Sequence, residues 1–366
     1  MNKLHSIALA LIACIPACVS AQQAASPTSP TAPAAQGPTL TERRAPTTEN
    51  AARQMTLDVV VSDKSGNPVA GLESKNFTLL DNNQPAKIVS FRAIGGTTQA
   101  SDPPVEMTLV LDTVNVGFQQ VAFARQEIVR FLRQNGGRLA FPVSILLLTN
   151  DGVAVHLESS SDGNALAAQF SQIDSRLRTT DRAQGAWGAI QRFEFSMQMV
   201  NNIVSDEEAK SGRKLLVWVG PGWPMLNGPG IDFNAQAQQR FFDAIVQLST
   251  QLRESHIILS SISAGDVDPQ ASSYKSFLKG VTSAKKADPS KLALKVLATQ
   301  SGGRVLGPNN DLVAQISSCV VDGSSYYTLA FEPPHADRAN EYHDLRVQID
   351  QPKLTARTST GYYNQP

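Results

Sequence analysis

The sequence predicts an α/β fold: a doubly wound, mostly parallel sheet with one antiparallel edge strand, together with a small β-sandwich formed by the N- and C-terminal strands. Three observations predict it. From Val105 onward, apolar strand-like runs alternate with amphipathic helical ones, the rhythm of βαβ units. The runs Ser144-Ile-Leu-Leu-Leu148 and Leu215-Leu-Val-Trp-Val219 are apolar almost throughout, as strands covered on both faces require. At both ends of the chain, short β-branched segments separated by polar turns replace that rhythm.

The chain opens Met1-Asn-Lys3, continues through an apolar run from Ile7 to Ile15, and reaches Val19-Ser-Ala21. A basic start, a short apolar core and small residues predict a signal peptide over residues 1–21, removed after Ala21. The expected destination is secreted or periplasmic. Leu11–Cys14 and Ile15–Cys18 both read as lipoprotein cleavage boxes, so free secretion and a lipid anchor at Cys14 or Cys18 both stay open. Residues 22–50, rich in Ala, Pro and Thr, cannot bury enough apolar surface to offset ordering entropy and read as a disordered linker.

Residues 51–95 supply the N-terminal part of the sandwich. Met55–Val61 alternates, Asp63–Pro68 turns, Asn76–Leu80 is a second strand, and Ala86–Phe91 a third after the tight turn Asp81–Asn83. Gly95–Pro104 reads as a linker. The α/β domain spans residues 104–332. Its strands are Val105–Asp112, Val143–Thr149, Val153–Leu157, Lys214–Gly220, His256–Ser263, Arg304–Leu306 and Ser325–Phe331. Its helices are Phe118–Gln134, Asn164–Leu177, Ala186–Val204, Asn234–Glu254, Ser290–Gln300 and Asp311–Val321. The turn Asn150-Asp-Gly152 predicts a hairpin, hence one antiparallel edge strand. Residues 333–366 return to β. Each terminal segment has too few strands to be stable alone, so the two are expected to pair, with the α/β domain inserted between them.

Composition narrows the function. Lys and Arg number 32 and Asp and Glu 32, with no basic cluster, which argues against nucleic acid or an anionic membrane as partner. Beyond the first segment no apolar stretch approaches the roughly 20 residues of a spanning helix. Of three cysteines, Cys14 and Cys18 lie in the signal, leaving Cys319, expected to be a small buried hydrophobe. Among His156, His256, His335 and His343 there is no H-E-x-x-H, and no C-x-x-C or G-x-S-x-G occurs. No cofactor and no enzyme is expected; a Ser or Cys within reach of His156 or His256 would reopen a hydrolase. His343 and Asp344 are adjacent on a strand, so their side chains point to opposite faces.

Ligands of open α/β sheets bind outside the carboxyl ends of the strands. That rule nominates Asp112 and Asn115 after the first strand, and Gly220, Gly222 and Trp223 in the long loop Gly220–Gly230. Trp223 is read either as an anchor for a partner or as a plug that packs the loop down.

The order of elements from Val105 to Phe331 resembles a von Willebrand factor type A domain. The apolar strand ending in Asp112, the early antiparallel hairpin and the segment Ala298-Thr-Gln-Ser-Gly-Gly303-Arg-Val carry the resemblance. More closely, residues 56–363 resemble a family of secreted acidobacterial proteins built around this domain. Val59-Val-Val-Ser-Asp-Lys-Ser-Gly-Asn-Pro-Val-Ala-Gly-Leu72, Asn76-Phe77, Tyr326-Tyr-Thr-Leu-Ala-Phe-Glu-Pro-Pro334, Tyr342-His-Asp-Leu-Arg-Val347 and Gly361-Tyr-Tyr363 are the matching stretches. The resemblance implies a binding module and no particular molecular role.

Type A domains often hold a divalent cation through Asp-x-Ser-x-Ser, a Thr from a second loop and an Asp after a later strand. In this chain the first loop reads Asp112-Thr-Val114-Asn115-Val116, and valine ligates nothing. Thr179 or Thr180 could serve the second loop, but Gly220-Pro-Gly222 offers no carboxylate. No bound metal is expected. The function predicted is a non-enzymatic extracytoplasmic protein-interaction module, an adhesin or scaffold with a degenerate metal-ion-dependent adhesion site and an unidentified protein partner. The alternative is a cation-dependent ligand-binding domain with a non-standard metal site; a carboxylate opposite Asp112 would favour it.

Overall fold

The computed structural model describes residues 54–95, 102–149, 155–173, 185–226, 233–264 and 271–366. In chain order the elements are β1 (Met55–Ser62), β2 (Phe77–Asp81), β3 (Gln84–Ala86), β4 (Ile88–Ile94), β5 (Val105–Asp112), α1 (Phe118–Leu132), β6 (Arg138–Leu148), β7 (Val155–Asp162) and α2 (Gly163–Gln172). There follow α3 (Gly185–Glu208), β8 (Arg213–Val219), α4 (Ala235–Glu254), β9 (Ile257–Ala264), α5 (Leu294–Gln300), β10 (Val305–Asn309), α6 (Leu312–Ser324), β11 (Tyr326–Phe331), β12 (Glu341–Ile349), β13 (Thr355–Arg357) and β14 (Gly361–Asn364).

The fold is a mixed α/β one with three sheets. Six strands in the order β10-β9-β8-β5-β6-β7 form a sheet that is parallel except for the edge pair β6–β7. All seven residues of β8 are buried, which explains its continuous apolar run. Side chains alternate across the sheet. Leu109, Leu111, Ile145 and Val217 pack with Ile128 of α1, Phe170 of α2 and Ile316 of α6. Val110, Leu216, Trp218 and Leu259 face the other way, onto Val200 of α3, Ile245 of α4 and Leu297 of α5.

Two four-stranded antiparallel sheets complete the fold, ordered β13-β1-β11-β4 and β14-β12-β2-β3. The terminal segments do pair: β1 lies between β11 and β13, and β12 pairs with β2. Leu57, Val59 and Leu329 of one sheet share a core with Phe77, Leu79 and Val347 of the other.

Three expectations need adjustment. Ser325–Phe331 was expected in the central sheet, but β11 pairs with β1 and β4 instead. Pro308 gives a physical reason why the central sheet ends at β10, because it removes a backbone donor from that edge strand. The expected third strand divides into β3 and β4. The helix expected from Ser290 starts only at Leu294, after a 3-10 turn over Pro289–Leu292 and an extended Ala293 (φ −62°, ψ 143°).

Buried charge joins the central sheet to the antiparallel pair. Asp58 on β1 lies 3.2 Å from the Arg213 guanidinium at the start of β8, and that guanidinium sits 4.1 Å over the Tyr326 ring. Burial works to raise the Asp58 carboxyl, but Arg213 and His256 beside it leave it below the usual 3.8. Across the joint, Asp322 of α6 accepts hydrogen bonds from Arg304 Nε and a second Arg304 nitrogen at 2.8 and 2.6 Å, and from Arg357 of β13 at 2.8 Å.

Candidate functional site

Asp112 ends β5 fully buried, and its carboxylate is committed to its own loop. Oδ1 accepts from the backbone N–H of Val114 (3.0 Å) and Asn115 (2.9 Å) and from Asn115 Nδ2 (3.2 Å). Oδ2 accepts from Asn115 Nδ2 (3.0 Å) and from the Trp218 indole N–H (3.1 Å). Burial still pushes this carboxyl above its ordinary 3.8, against the pull of those donors. Asn115 Nδ2 also reaches Ser196 Oγ of α3 at 3.3 Å, so the loop is tied to the helix. Val114 and Val116, at the positions a cation site would fill with hydroxyls, are buried and pack on opposite faces of the sheet.

The loop after β8 closes over this carboxylate. Gly220 adopts φ 147°, and a Cβ there would stand 2.6 Å from Asp112 Cβ, so only glycine lets the two strands' ends meet. At the end of β8, backbone packs against Asp112 in place of a second carboxylate. Asn115 Oδ1 is buried without a hydrogen-bond partner. One amide oxygen is a poor lodging for a hard cation that wants about six oxygens. Among the described residues no three His, Cys, Asp or Glu side chains are gathered as a metal site. Millimolar magnesium is therefore expected to leave the melting temperature unchanged. Saturation at a hundred times Kd would add about 2.7 kcal/mol, so an upward shift lost in Asp112→Ala would refute this reading.

Trp223 requires a correction. It is fully buried, donates its indole N–H to the Leu292 carbonyl at 2.9 Å, and meets Trp218 edge to face with centroids 5.4 Å apart. Gly222 (φ 76°) presses against Leu294, leaving no room for a Cβ. The described start of the loop, Gly220–Trp223, packs down against Leu292 and Leu294, and its aromatic is a plug, not a partner's anchor. Gly220 and Gly222 likewise serve close packing. Thr179 and Thr180 lie outside the described residues.

The exposed aromatics are elsewhere. Among the described residues, Phe118 (58% exposed) and Trp187 (55%) are the large aromatic side chains left in solvent. Phe118 opens α1 directly after the Asp112 loop, and Trp187 lies in the first turn of α3. Ser196 is level with Asn115, so Trp187, nine residues earlier, stands roughly 13 Å further along the axis at about 1.5 Å per residue. Both aromatics were legible only as early members of helices, with nothing in the pattern to mark them as uncovered.

His156 and Ser144 line the same cleft, but the Ser144 hydroxyl is bonded to Thr108 Oγ1 at 2.9 Å. No hydrogen bond links it to His156. His343 does find a carboxylate, Asp81 rather than Asp344: Nδ1 lies 2.7 Å from Asp81 Oδ1, and Tyr362 donates its hydroxyl to Oδ2 at 2.6 Å. His343 Nε2 is buried without a hydrogen-bond partner. Cys319 is buried, and desolvation together with nearby Asp322 pushes its thiol up to about 11, far from a reactive thiolate. No described helix is long and apolar enough to cross a membrane.

No family model matches the chain, and no curated protein matches it. Among solved structures it is similar to the human COPII-coat protein Sec24c, with 10% identity and a TM-score of 0.37 over 72% of this chain and 44% of that one. It is similar also to the pilus adhesin SpaC from Lactobacillus rhamnosus GG in its open conformation. There the identity is 9% and the TM-score 0.33, over 80% of this chain and 48% of that one. The chain spans less than half the length of either.

Proposed function

We propose that the chain is a non-enzymatic, extracytoplasmic protein-interaction module: a doubly wound type A α/β domain with a degenerate cation site, carried on a β-sandwich of its terminal strands. Its partner docks at the carboxyl edge of the six-stranded sheet. The carrying observation is the exposure of Phe118 and Trp187 on elements that the Asn115–Ser196 hydrogen bond ties together at that edge. With Asp112 locked into its loop, affinity comes from desolvating aromatic surface instead of from a bridging cation. The committed carboxylate, and Val114 and Val116 where hydroxyls would be needed, support the degenerate site. The signal-like residues 1–21 support the location.

Crosslinking of envelope extracts to the native protein and to Phe118→Ala and Trp187→Ala tests the reading. Each substitution is expected to weaken capture by about 2 kcal/mol or more, roughly thirtyfold, as for a hot-spot aromatic. Stability should change by less than about 0.5 kcal/mol, since both side chains are exposed. Equal recovery of the same partners by all three proteins would move the binding face elsewhere.

A further inference from the structure

The expected absence of a basic cluster does not hold in the segment between β9 and α5. Residues 275–295 carry six lysines against one carboxylate, Asp288, a net +5 in a chain whose total is zero. The segment lies on the outside of the α/β layer. Its 3-10 turn Ala284–Lys286 packs on α4, and the turn Ser273–Phe277 meets the turn Pro289–Leu292. The helix it packs on does not offset the excess, because α4 sets Arg240 and Arg253 against Asp243 and Glu254.

Lys295 is buried, its ammonium 5.8 Å from the Tyr274 ring centroid, so five lysines remain for the surface. Lys275, Lys279, Lys285 and Lys286 are exposed, and none forms an ion pair with a carboxylate among the described residues. Lys286 reaches the Thr282 hydroxyl at 3.3 Å. Lys291 donates to the Lys279 carbonyl at 2.7 Å and sits over Phe277, 5.9 Å from the ring centroid. Burial holds the Lys291 ammonium below its usual 10.5; Asp288 opposes that, and the like charge of Lys279 adds to it. Cations gathered in this way repel, and an external anionic surface relieves that repulsion.

The kind of anion follows from what the patch is made of. Protein interfaces are depleted in lysine and enriched in arginine, tyrosine and tryptophan. Base edges are read most often by arginine forks, and single-stranded nucleic acid stacks on open aromatic faces. Residues 275–291 hold no arginine, and their aromatic Phe277 is half-buried under Lys291. Lysine presents a hydrated point charge on a flexible stem, suited to many anionic groups in no fixed array. Groups of roughly four to eight basic side chains are the usual footprint of attraction to anionic lipid headgroups.

We infer that the lysine face of residues 275–291 seats the molecule on an anionic lipid surface, without insertion. The remainder of the chain carries a net −5 and is repelled by the same surface, which fixes the side presented to it. Phe118 and Trp187 stand on other elements, so this face and the proposed docking edge can fail independently.

Vesicle sedimentation tests it, using the chain from Gln22, which holds every described element and neither Cys14 nor Cys18. Vesicles of phosphatidylcholine alone are compared with vesicles containing about 30% phosphatidylglycerol, at about 0.1 M salt. Binding is expected to the anionic vesicles only, and is expected to be lost by about 0.5 M salt. Each lysine is worth about fivefold in affinity, so changing Lys275, Lys279, Lys285 and Lys286 together to Gln should weaken binding by roughly several hundredfold. All four are exposed, so the melting temperature should not move. Changing Lys64, Lys75, Lys87 and Lys353 to Gln gives the same net charge from exposed positions around the antiparallel sheets, and should cost less than about fivefold. Absence of binding to the anionic vesicles, equal binding to the neutral ones, or equal losses in the two quadruple variants overturns the proposal. Tighter lysine-dependent binding to a DNA duplex or to polyglutamate at matched charge overturns the choice of a lipid surface.

Discussion

Asp322→Ala is expected to lower the melting temperature by roughly five to eight degrees. The Asp322 side chain is 3% exposed between two guanidiniums, and removing it leaves Arg304 and Arg357 facing each other without an anion. Breaking a buried ion cluster from one side typically costs about 3–5 kcal/mol. At about 2.1 cal/mol/K of unfolding entropy per residue, a folded region of roughly 300 residues moves its midpoint by about 1.5 °C per kcal/mol. The cost comes from stranded charge, so the triple change Arg304→Met, Asp322→Leu, Arg357→Met should recover most of the loss. Thermal denaturation of the three proteins decides it. An Asp322→Ala protein that melts with the parent would mean that water already reaches the cluster.

Trp223→Ala is expected to cost about 3–5 kcal/mol, the usual range for deleting a fully buried large aromatic. The indole fills space between Trp218 and the 3-10 turn Pro289–Leu292, and its loss also leaves the Leu292 carbonyl without its donor. Loss of the Trp223–Trp218 contact should also alter the near-ultraviolet dichroism of the folded protein. A stable variant with an unchanged aromatic spectrum would return Trp223 to the surface and restore it as a candidate anchor. Chemical denaturation measures the first quantity and dichroism the second.

The strand and helix rhythm was legible wherever burial on two faces forced continuous apolar runs, as in β8, or a clear amphipathic period, as in α4. The antiparallel edge strand was expected from Asn150-Asp-Gly152; β7 does pair antiparallel with β6, while that turn lies outside the described residues. The sheet to which β11 belongs was not. Tyr326–Phe331 is apolar enough for either environment, and only its partners, 232–276 residues upstream in β1 and β4, decide. The Asp81–His343–Tyr362 cluster was hidden for the same reason: 262 residues separate His343 from its carboxylate. Local pattern showed that His343 could not face Asp344, but not what it faced instead. In the candidate site, Val114 and Val116 announced their loss of ligating oxygen directly. Trp223 could not be read, because a Gly/Pro loop fits a protruding aromatic as well as a folded one. The deciding contact, Leu292, is 69 residues further on.

The pairing of β1 with β13 sets an order of events during synthesis. Ser62 and Thr355 meet across 293 residues. At equilibrium that distance is cheap, because closure entropy grows only with the logarithm of loop length, about 0.6 kcal/mol per doubling. In time it is not. At about 5–20 residues per second, β1 leaves the ribosome roughly 15 to 60 s before its outer partner exists. The apolar row Leu57, Val59 and Val61 spends that interval uncovered, while the six-stranded sheet can assemble from segments nearer one another in the chain. The two antiparallel sheets are thus the last to close. A nascent chain stalled before Glu341 carries an unpaired β2 edge and a half-built core, the kind of surface that general chaperones hold.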